Sequence, residues 1–115
     1  MKNINSLKKN RQFQTVYAGK HSYANRYLVM YILPNGLEET RIGISVNKRV
    51  GNSIVRHRVT RLVRESYRLN KARLKNGLDI VVVARPLAKE QGFFEIESAF
   101  LHLGRMHHIF IKESK

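Results

Sequence analysis

The stretch LDIVVVA, residues 78–84, decides the fold class, because it is a nearly continuous apolar run of strand length that is rich in valine. A run of this kind is typical of a central strand that is buried on both faces, and such a strand needs neighbouring strands and covering helices. Gly77 precedes the run, and Pro86 follows it as the start of a short helical turn. The stretch therefore predicts a sheet inside an α/β protein.

Two further strands are predicted upstream of this run. Arg26–Leu33 is rich in β-branched and aromatic residues, and Thr40–Asn47 carries apolar side chains at every second position. The turn signal PNG at residues 34–36 separates the two segments. This combination predicts a β-hairpin.

Three helices are predicted around these strands. The first covers Asn10–Ala18, with Asn10 as its N-cap and Gly19 directly after its end. The second covers Asn52–Lys75 and the third covers Glu95–His108. The buried side of the third helix is expected to consist of Ile96, Ala99, Phe100, Leu103 and His107. The resulting order, α-β-β-α-β-α, predicts an α/β (α+β) two-layer sandwich.

Length and composition exclude several classes of protein. A chain of 115 residues predicts a single domain over residues 1–115, with residues 1–9 as a short basic arm that is expected to be flexible. The absence of cysteine excludes a disulfide scaffold, a thiol nucleophile and a cysteine-ligated zinc. No apolar run approaches the roughly 20 residues of a membrane-spanning helix, and the N-terminus lacks a signal-peptide core. A cytoplasmic protein without a membrane partner is therefore expected.

Charge is the most informative property of the composition. There are 22 Lys and Arg against 8 Asp and Glu, which gives a net charge of +14. Such an imbalance destabilises the compact state by self-repulsion, and it is typical of proteins with a polyanionic partner. Nucleic acid is the leading candidate and an anionic membrane surface is the second. A basic protein without such a partner is the third alternative.

Much of this charge lies on the long helix and the residues just before it. Residues 48–73 contain nine Lys and Arg and a single acid, Glu65, so they carry +8 of the net +14. Helical spacing predicts a buried stripe made of Val55, Val59, Leu62, Ser66 and Leu69. The same spacing predicts an opposite face made of His57, Arg61, Arg64 and Arg68, which Arg56 and Arg58 flank. Guanidinium groups suit bidentate contact with phosphate, so this face is predicted to bind a polyanion.

The run KRVGNSIVRHRVTRLVRE, residues 48–65, resembles the signature of the bacterial ribonuclease P protein component, K-[KR]-x-G-x-A-x-x-R-N-R-x-K-R-x-x-R-E. The resemblance extends over nearly the whole chain. It includes Lys8, Lys9, Phe13, Val16, Tyr17 and Gly19, the GISV segment at residues 43–46, and LDIVVVARP at residues 78–86. The chain departs from the pattern at Ser53, His57 and Thr60, where Ala, Asn and Lys are usual.

The resemblance implies a protein subunit of a ribonucleoprotein endoribonuclease. Members of this family bind a large catalytic RNA and help it to remove the 5′ leader from precursor tRNA. The RNA and its Mg²⁺ ions carry out the phosphodiester hydrolysis, so the protein alone is expected to be non-catalytic and to need no obligate protein partner. The implied fold is like the second domain of a small-subunit ribosomal protein, with a left-handed βαβ crossover.

The resemblance also assigns roles to individual residues. The catalytic RNA is expected to contact Lys48, Arg49, Asn52, Arg56, His57, Arg58, Arg61, Arg64 and Arg68. The leader is expected to contact Phe13, Tyr17, Tyr31, Arg56 and Arg64. From the residues alone, aromatic side chains beside a basic groove make a stacking platform for single-stranded RNA, although the same three rings could be ordinary core residues.

No protein-borne catalytic or metal site is predicted. The eight acidic residues are scattered, whereas two-metal phosphodiester chemistry needs clustered carboxylates. His102, His107 and His108 have no neighbouring Cys or Asp in the sequence. Two rival functions remain open at this point, which are a structural ribosomal protein and a stand-alone nuclease.

Overall fold

The computed structural model describes residues 5–111. Within these residues there are three helices: α1 (Asn10–Ala18), α2 (Ser53–Asn70) and α3 (Phe93–Met106). Four strands form one sheet: β1 (Ser22–Ala24), β2 (Leu28–Pro34), β3 (Arg41–Ser45) and β4 (Leu78–Ala84). Short 3-10 turns cover Lys71–Arg73 and Pro86–Glu90.

The predicted central strand is confirmed. β4 has the predicted bounds and lies inside the sheet, whose strand order is β1-β2-β4-β3. It pairs with β2 in antiparallel and with β3 in parallel orientation. Its residues 79–82 are all buried, as expected for a strand covered on both faces.

The predicted hairpin between the second and third strands is wrong, because β4 lies between β2 and β3. Both edges of β2 are already occupied, one by β1 and the other by β4, so no edge is left for β3. Two hydrogen bonds from Asn35 hold the loop after β2 against the start of β4. The backbone N–H of Asn35 donates to the Gly77 carbonyl (2.9 Å), and the Asn35 side-chain amide donates to the Asp79 carboxylate (2.8 Å). The PNG segment therefore marks the end of β2, as a turn signal predicts, but the next strand, β3, does not pair with β2.

A different hairpin forms at the other side of β2. The short strand β1 pairs with β2 in antiparallel orientation, and this strand was not predicted because its three residues are exposed and show no apolar pattern. Asn25 shapes the connection, since its side-chain oxygen accepts from the backbone N–H groups of Tyr27 (3.2 Å) and Leu28 (3.0 Å). β1 becomes one edge of the sheet.

The predicted two-layer α/β sandwich is confirmed, with α2 and α3 packed on one face of the sheet. The core between these layers includes Leu28, Met30, Ile42, Val59, Val63, Ile80, Val82, Ile96 and Phe100. Helix α1 packs on the other face, over a smaller core of Leu7, Val16 and Val81. β3, α2 and β4 form the expected parallel βαβ unit, and its left hand stays a prediction.

The opposite edge of the sheet is covered by residues 5–7. The Ile42 N–H donates to the Asn5 carbonyl (2.9 Å), and the Leu7 N–H donates to the Ile42 carbonyl (2.8 Å). Leu7 is buried in the smaller core. The described part of the predicted basic arm is therefore packed along β3, and residues 1–4 lie outside the described residues.

Helix α1 has the predicted bounds, but its ends are built differently. Lys9 is the N-cap in place of Asn10, and the Gln12 side chain accepts from the backbone N–H groups of Lys8 and Lys9 (both 2.9 Å). Gly19 has a right-handed conformation, and the positive φ falls on Lys20. Gly19 lets the Leu33 side chain approach closely, since a Cβ there would lie 2.9 Å from its Cδ1 atom.

The buried side of α2 is rotated relative to the predicted stripe. Val59 and Ser66 are buried as predicted, Val55 and Leu62 are only partly buried, and Leu69 is 52% exposed. The side chains buried in the helix are Val59, Val63, Ser66, Tyr67 and Asn70. The helix also ends at Asn70, five residues before the predicted end. In α3, which begins two residues before the predicted start, Ile96, Ala99, Phe100 and Leu103 are buried as predicted, and His107 caps the end.

Candidate nucleic-acid interface

Helix α2 presents a basic face to solvent. His57, Arg61, Arg64 and Arg68 are all exposed, as the helical spacing predicts. Asn52 is the N-cap, and its side-chain oxygen accepts from the Val55 N–H at 3.0 Å. Lys48 and Arg49 are exposed in the turn that leads into this helix start. The turn and the helix start therefore join two Lys/Arg charges to backbone N–H groups, an arrangement that favours phosphate.

The arginines of this face differ in how strongly their guanidinium groups are already engaged by hydrogen bonds within the protein. Arg68 is held by Glu65 through two hydrogen bonds, Nε to Oε1 (2.9 Å) and Nη2 to Oε2 (2.5 Å). These hydrogen bonds from Arg68 lower the pKa of the Glu65 carboxyl, so Glu65 is charged at neutral pH. Arg64 donates only a long hydrogen bond to the Ser6 hydroxyl (3.3 Å). We conclude that Arg64 is freer than Arg68 to contact a phosphate.

Arg58 has a structural role that sequence reasoning missed. Its guanidinium donates to the carbonyls of Lys89 (3.2 Å) and Gln91 (2.5 Å), in the segment that leads into α3. Arg56 is partly buried, and its Nε is buried without a hydrogen-bond partner. Arg58 thus ties α2 to the start of α3, whereas Arg56 keeps an unused donor.

The three predicted aromatic residues meet on the α1 face of the sheet. The ring centroids of Phe13 and Tyr17 are 6.5 Å apart, and those of Tyr17 and Tyr31 are 4.9 Å apart at an interplanar angle of 69°. All three side chains are partly buried and pack against the smaller core. They therefore contribute to a core and still keep surface exposed to solvent, which combines the two alternatives that the sequence leaves open.

An open cleft runs beside the rings of Phe13 and Tyr17, and its volume is about 290 Å³. It is lined by Lys8, Asn10, Phe13, Tyr17, Ile44 and Ser45. Tyr31 lies opposite Val81, which in turn lies opposite Gly43, so the three residues form one row across the sheet. A Cβ at Gly43 would lie 2.8 Å from Cζ of Phe13, so glycine allows the Phe13 ring to lie against the sheet.

Sequence reasoning missed Lys8, Asn10, Ile44 and Ser45 as lining residues of the cleft. Ser45 lies two residues after Gly43 on the same strand, so both residues lie on one face of the sheet. This two-residue period is the signal that could have identified Ser45 as a lining residue. Lys8 gives the cleft a positive rim next to its aromatic wall. The arrangement suits a flexible anionic chain with exposed bases.

The histidines near the chain end are engaged in structural contacts. His107 packs edge-on against the Tyr23 ring (4.8 Å), and its Nε2 is 2.8 Å from the Met30 carbonyl oxygen. Burial lowers the pKa of the His107 imidazole. His102 is 3.1 Å from the Asn25 side-chain nitrogen. Within residues 5–111, no three His, Asp or Glu side chains converge in a way that could hold a metal ion.

In the same range, none of the helices has the length and apolar character needed to cross a membrane. The basic helix face and the aromatic cleft, both positioned by one mixed sheet, define the class of protein as an RNA-binding α/β protein. Residues 1–107 match the family described as Ribonuclease P. The chain belongs to this family.

Relatives with the name ribonuclease P protein component agree with this assignment. The chain is 55% identical to the one from Lachnoclostridium phytofermentans over 104 residues, which are 90% of each protein. It is 54% identical to the one from Alkaliphilus metalliredigens over 105 residues, 91% of this chain and 95% of the relative. The function of a ribonuclease P protein component, which acts in tRNA processing and binds RNA, follows for this chain.

Solved structures show the same fold. The RNase P protein of Staphylococcus aureus superposes with a TM-score of 0.86 at 34% identity, over 95% of this chain and all of the other. The RNase P protein of Thermotoga maritima gives a TM-score of 0.79 at 29% identity, over 95% and 99% of the two chains. The alternative of a structural ribosomal protein is thereby set aside.

Proposed function

We propose that this chain binds the catalytic RNA of ribonuclease P through the basic face of α2 and holds the 5′ leader of precursor tRNA in the cleft beside α1. The observation that carries the proposal is the cleft itself. A wall of partly exposed aromatic rings lies beside Lys8, on the sheet face opposite to α2 and α3. Bases stack on aromatic rings while lysine and arginine attract the backbone, so the cleft suits a single strand.

The basic face supports the proposed contact with the catalytic RNA. Arg61 and Arg64 are exposed and are available for phosphate, whereas Arg68 must share its guanidinium with Glu65. Proposed further contacts come from Lys48 and Arg49 at the helix start and from Asn52, Arg56, His57 and Arg58. Arg64 also reaches Ser6, which pairs with β3, so it lies between the basic face and the α1 side. This position supports its proposed contact with both RNAs.

We propose further that Mg²⁺ is bound mainly by RNA phosphates and that no side chain of this protein performs the hydrolysis. Several carboxylates of the described residues are engaged with neighbouring donors. Asp79 accepts two hydrogen bonds from Arg41 (2.7 and 2.8 Å), and Glu65 accepts two from Arg68. Glu97 accepts from Asn70 (2.9 Å) on a different helix. This donor set does not fit a Mg²⁺ site, because hard cations need several converging oxygen ligands.

The proposal is tested by reconstitution. Nuclease-treated protein, freed of RNA, should leave precursor tRNA intact, and cleavage at the correct phosphate should appear only after the catalytic RNA and Mg²⁺ are added. Correct cleavage by the RNA-free protein would refute the non-catalytic role. The RNA that copurifies with the chain gives a second readout, since it should be the catalytic RNA and not ribosomal RNA.

A further inference from the structure

A second groove lies on the other side of the sheet, between α2 and the start of α3. It has a volume of about 320 Å³ and is lined by Arg58, Arg61, Leu62, Glu65 and Phe93. The cleft proposed for the 5′ leader, called the leader cleft below, is lined by different residues and lies beside α1. We propose that this groove binds one unpaired base of the catalytic RNA, with the base stacked on Phe93. The inference rests on the proposed function for the identity of the RNA.

The aromatic wall of the groove is held in place before any ligand binds. Phe93 is the first residue of α3, and the Glu95 carboxylate accepts from the Gly92 N–H at 3.2 Å, which fixes the helix start. On the other side, Arg58 donates to the carbonyls of Lys89 and Gln91, just before Phe93. A preorganised wall lowers the entropic cost of binding.

The polar groups of the groove favour a base over a phosphate. Glu65 places a charged carboxylate acceptor among the arginines of the groove, and a base edge has donors to pair with it, whereas a phosphodiester has none. The two hydrogen bonds from Arg68 orient the Glu65 carboxylate and leave it lone pairs to accept from a ligand. Arg61 supplies donors. The groove therefore offers an acceptor and a donor next to apolar surface, which is the pattern that a nucleobase edge complements.

This chemistry also narrows the choice of base. Adenine, cytosine and guanine carry an exocyclic amino group that can donate to Glu65, whereas uracil does not. Guanine adds the adjacent O6 and N7 acceptors, which an arginine can bind bidentately. The site is thus expected to prefer an amino-bearing base, and guanine most of all.

Charge complementarity identifies RNA as the source of the ligand. Arg61 lines the groove and continues into the basic face with Arg64 and Arg68, which is complementary to a polyanion. Aromatic rings flanked by arginines are stacking platforms for unpaired bases. Phe94 lies beside Phe93, with the ring centroids 5.8 Å apart, and is 78% exposed, but it does not line the groove. It therefore provides a matched control.

The first experiment measures the affinity of the full-length protein for ribonuclease P RNA across salt concentrations. Phe93→Leu keeps an apolar side chain but loses the ring, and Phe93→Tyr keeps the ring. We expect Phe93→Leu to weaken binding by about 5-fold or more, within the 5- to 150-fold range of a lost stack, at an unchanged salt slope. Phe93→Tyr and the control Phe94→Leu should stay within about 2-fold of the wild type, the variation expected of surface substitutions.

Glu65→Gln tests whether the Glu65 carboxylate recognises an amino group of the base. Electrostatics alone and base recognition predict opposite changes in RNA affinity for this variant. The substitution raises the net charge by one, so a purely electrostatic surface would bind RNA more tightly. Loss of a charged acceptor for an amino group should instead weaken binding, by roughly 3-fold or more. Because the substitution also releases Arg68, the comparison is made in an Arg68→Ala background, where tighter binding by Glu65→Gln would overturn the base-recognition proposal.

A photoreactive phenylalanine analogue at position 93 gives a direct readout in the reconstituted holoenzyme. A cross-link to an unpaired, amino-bearing nucleotide of the catalytic RNA would support the proposal. A cross-link to the leader, to another protein or only to paired nucleotides would overturn it, as would equal affinities of wild type and Phe93→Leu. If the wild type does not bind ribonuclease P RNA at all, the proposed function itself has failed.

Discussion

Replacing Tyr17 with alanine is expected to weaken the binding of precursor tRNA to the reconstituted holoenzyme and to leave the binding of mature tRNA unchanged. Tyr17 lines the cleft and packs against Tyr31 with 4.9 Å between the ring centroids. Only precursor tRNA carries a leader that can enter this cleft. A ring that stacks on leader bases therefore affects one ligand and not the other.

The expected magnitude follows from the contact that is lost. A base stacked on an aromatic side chain contributes about 1–3 kcal/mol, so Tyr17→Ala should reduce affinity for precursor tRNA by about 5- to 150-fold. The slope of log affinity against log salt should stay nearly constant, because no charge is removed. Tyr31→Ala should act in the same direction. Tyr31 also packs in the smaller core, so its loss should lower stability as well.

The assay is a paired titration of precursor and mature tRNA at several salt concentrations, with circular dichroism to verify that each variant is folded. Tyr23→Ala is the matched control. Tyr23 is 45% exposed, lies on β1 and contacts His107, outside the leader cleft. Tyr17→Phe keeps the ring and should bind like the wild type. Equal losses for both tRNAs in a folded Tyr17→Ala variant would refute the assignment of this cleft to the leader.

Four further substitutions test other parts of the structure. Arg61→Ala should weaken RNA binding with little dependence on the RNA sequence, and titrations across salt should show that the slope of log affinity against log salt flattens by about 0.7–0.9 units. Arg58→Ala should weaken RNA binding and also lower the melting temperature, because the Arg58 guanidinium holds two carbonyls before α3. Gly43→Ala should cost about 1–3 kcal/mol in urea unfolding, because a Cβ would lie 2.8 Å from Phe13; a stability unchanged from wild type would contradict this packing. Burial lowers the pKa of His107, so the folded state binds fewer protons than the unfolded state, and stability should fall as pH decreases from the ordinary value of 6.5 through the folded pKa. Melting temperatures between pH 7.5 and 5 should show a smaller decrease for His107→Gln than for the wild type.

The elements that were predicted correctly are those that local sequence encodes. β4 is an uninterrupted apolar run, and α1 is an amphipathic segment followed by glycine, so both were located with correct bounds. Strand pairing is a non-local property, and the apolar pattern of β2 fits a neighbour on either side equally well. The partner was fixed by contacts that no local pattern displays, such as the hydrogen bond from Asn35 to Asp79 across 44 residues.

The rotation of α2 has a similar origin. The predicted apolar stripe leaves Asn70 on the surface of the helix. In the structure the Asn70 side chain is buried, and it donates to the Ser66 carbonyl (2.8 Å) and to Glu97 of α3 (2.9 Å). A polar side chain can be buried when its hydrogen bonds are satisfied, and here a neighbouring helix supplies the partner. Leu69 is exposed on the same helix. Apolar spacing alone therefore places the buried side of a helix only approximately when another helix packs beside it.

The candidate RNA-binding site likewise has one part that local sequence predicts and another part that depends on non-local contacts. The exposed arginines of α2 follow from spacing on one helix, so sequence reasoning located that face. The Arg58 anchor depends on backbone carbonyls more than 30 residues away, and the sequence contains no signal for such partners. The meeting of Phe13 and Tyr17 with Tyr31 also depends on how α1 lies on the sheet, and it was expected only from the resemblance to the family.

The arrangement of layers is consistent with the proposal that this small protein holds two RNAs at once. Helices α2 and α3 cover one face of the sheet, whereas the single nine-residue helix α1 leaves an open cleft on the other. Catalytic RNA bound to α2 and a leader in the cleft would then be held by one rigid unit. Binding of the first RNA makes contact with the second intramolecular, which raises its effective concentration. Arg64, which connects α2 to Ser6 beside β3, lies where the two paths approach each other, so its loss should weaken both contacts.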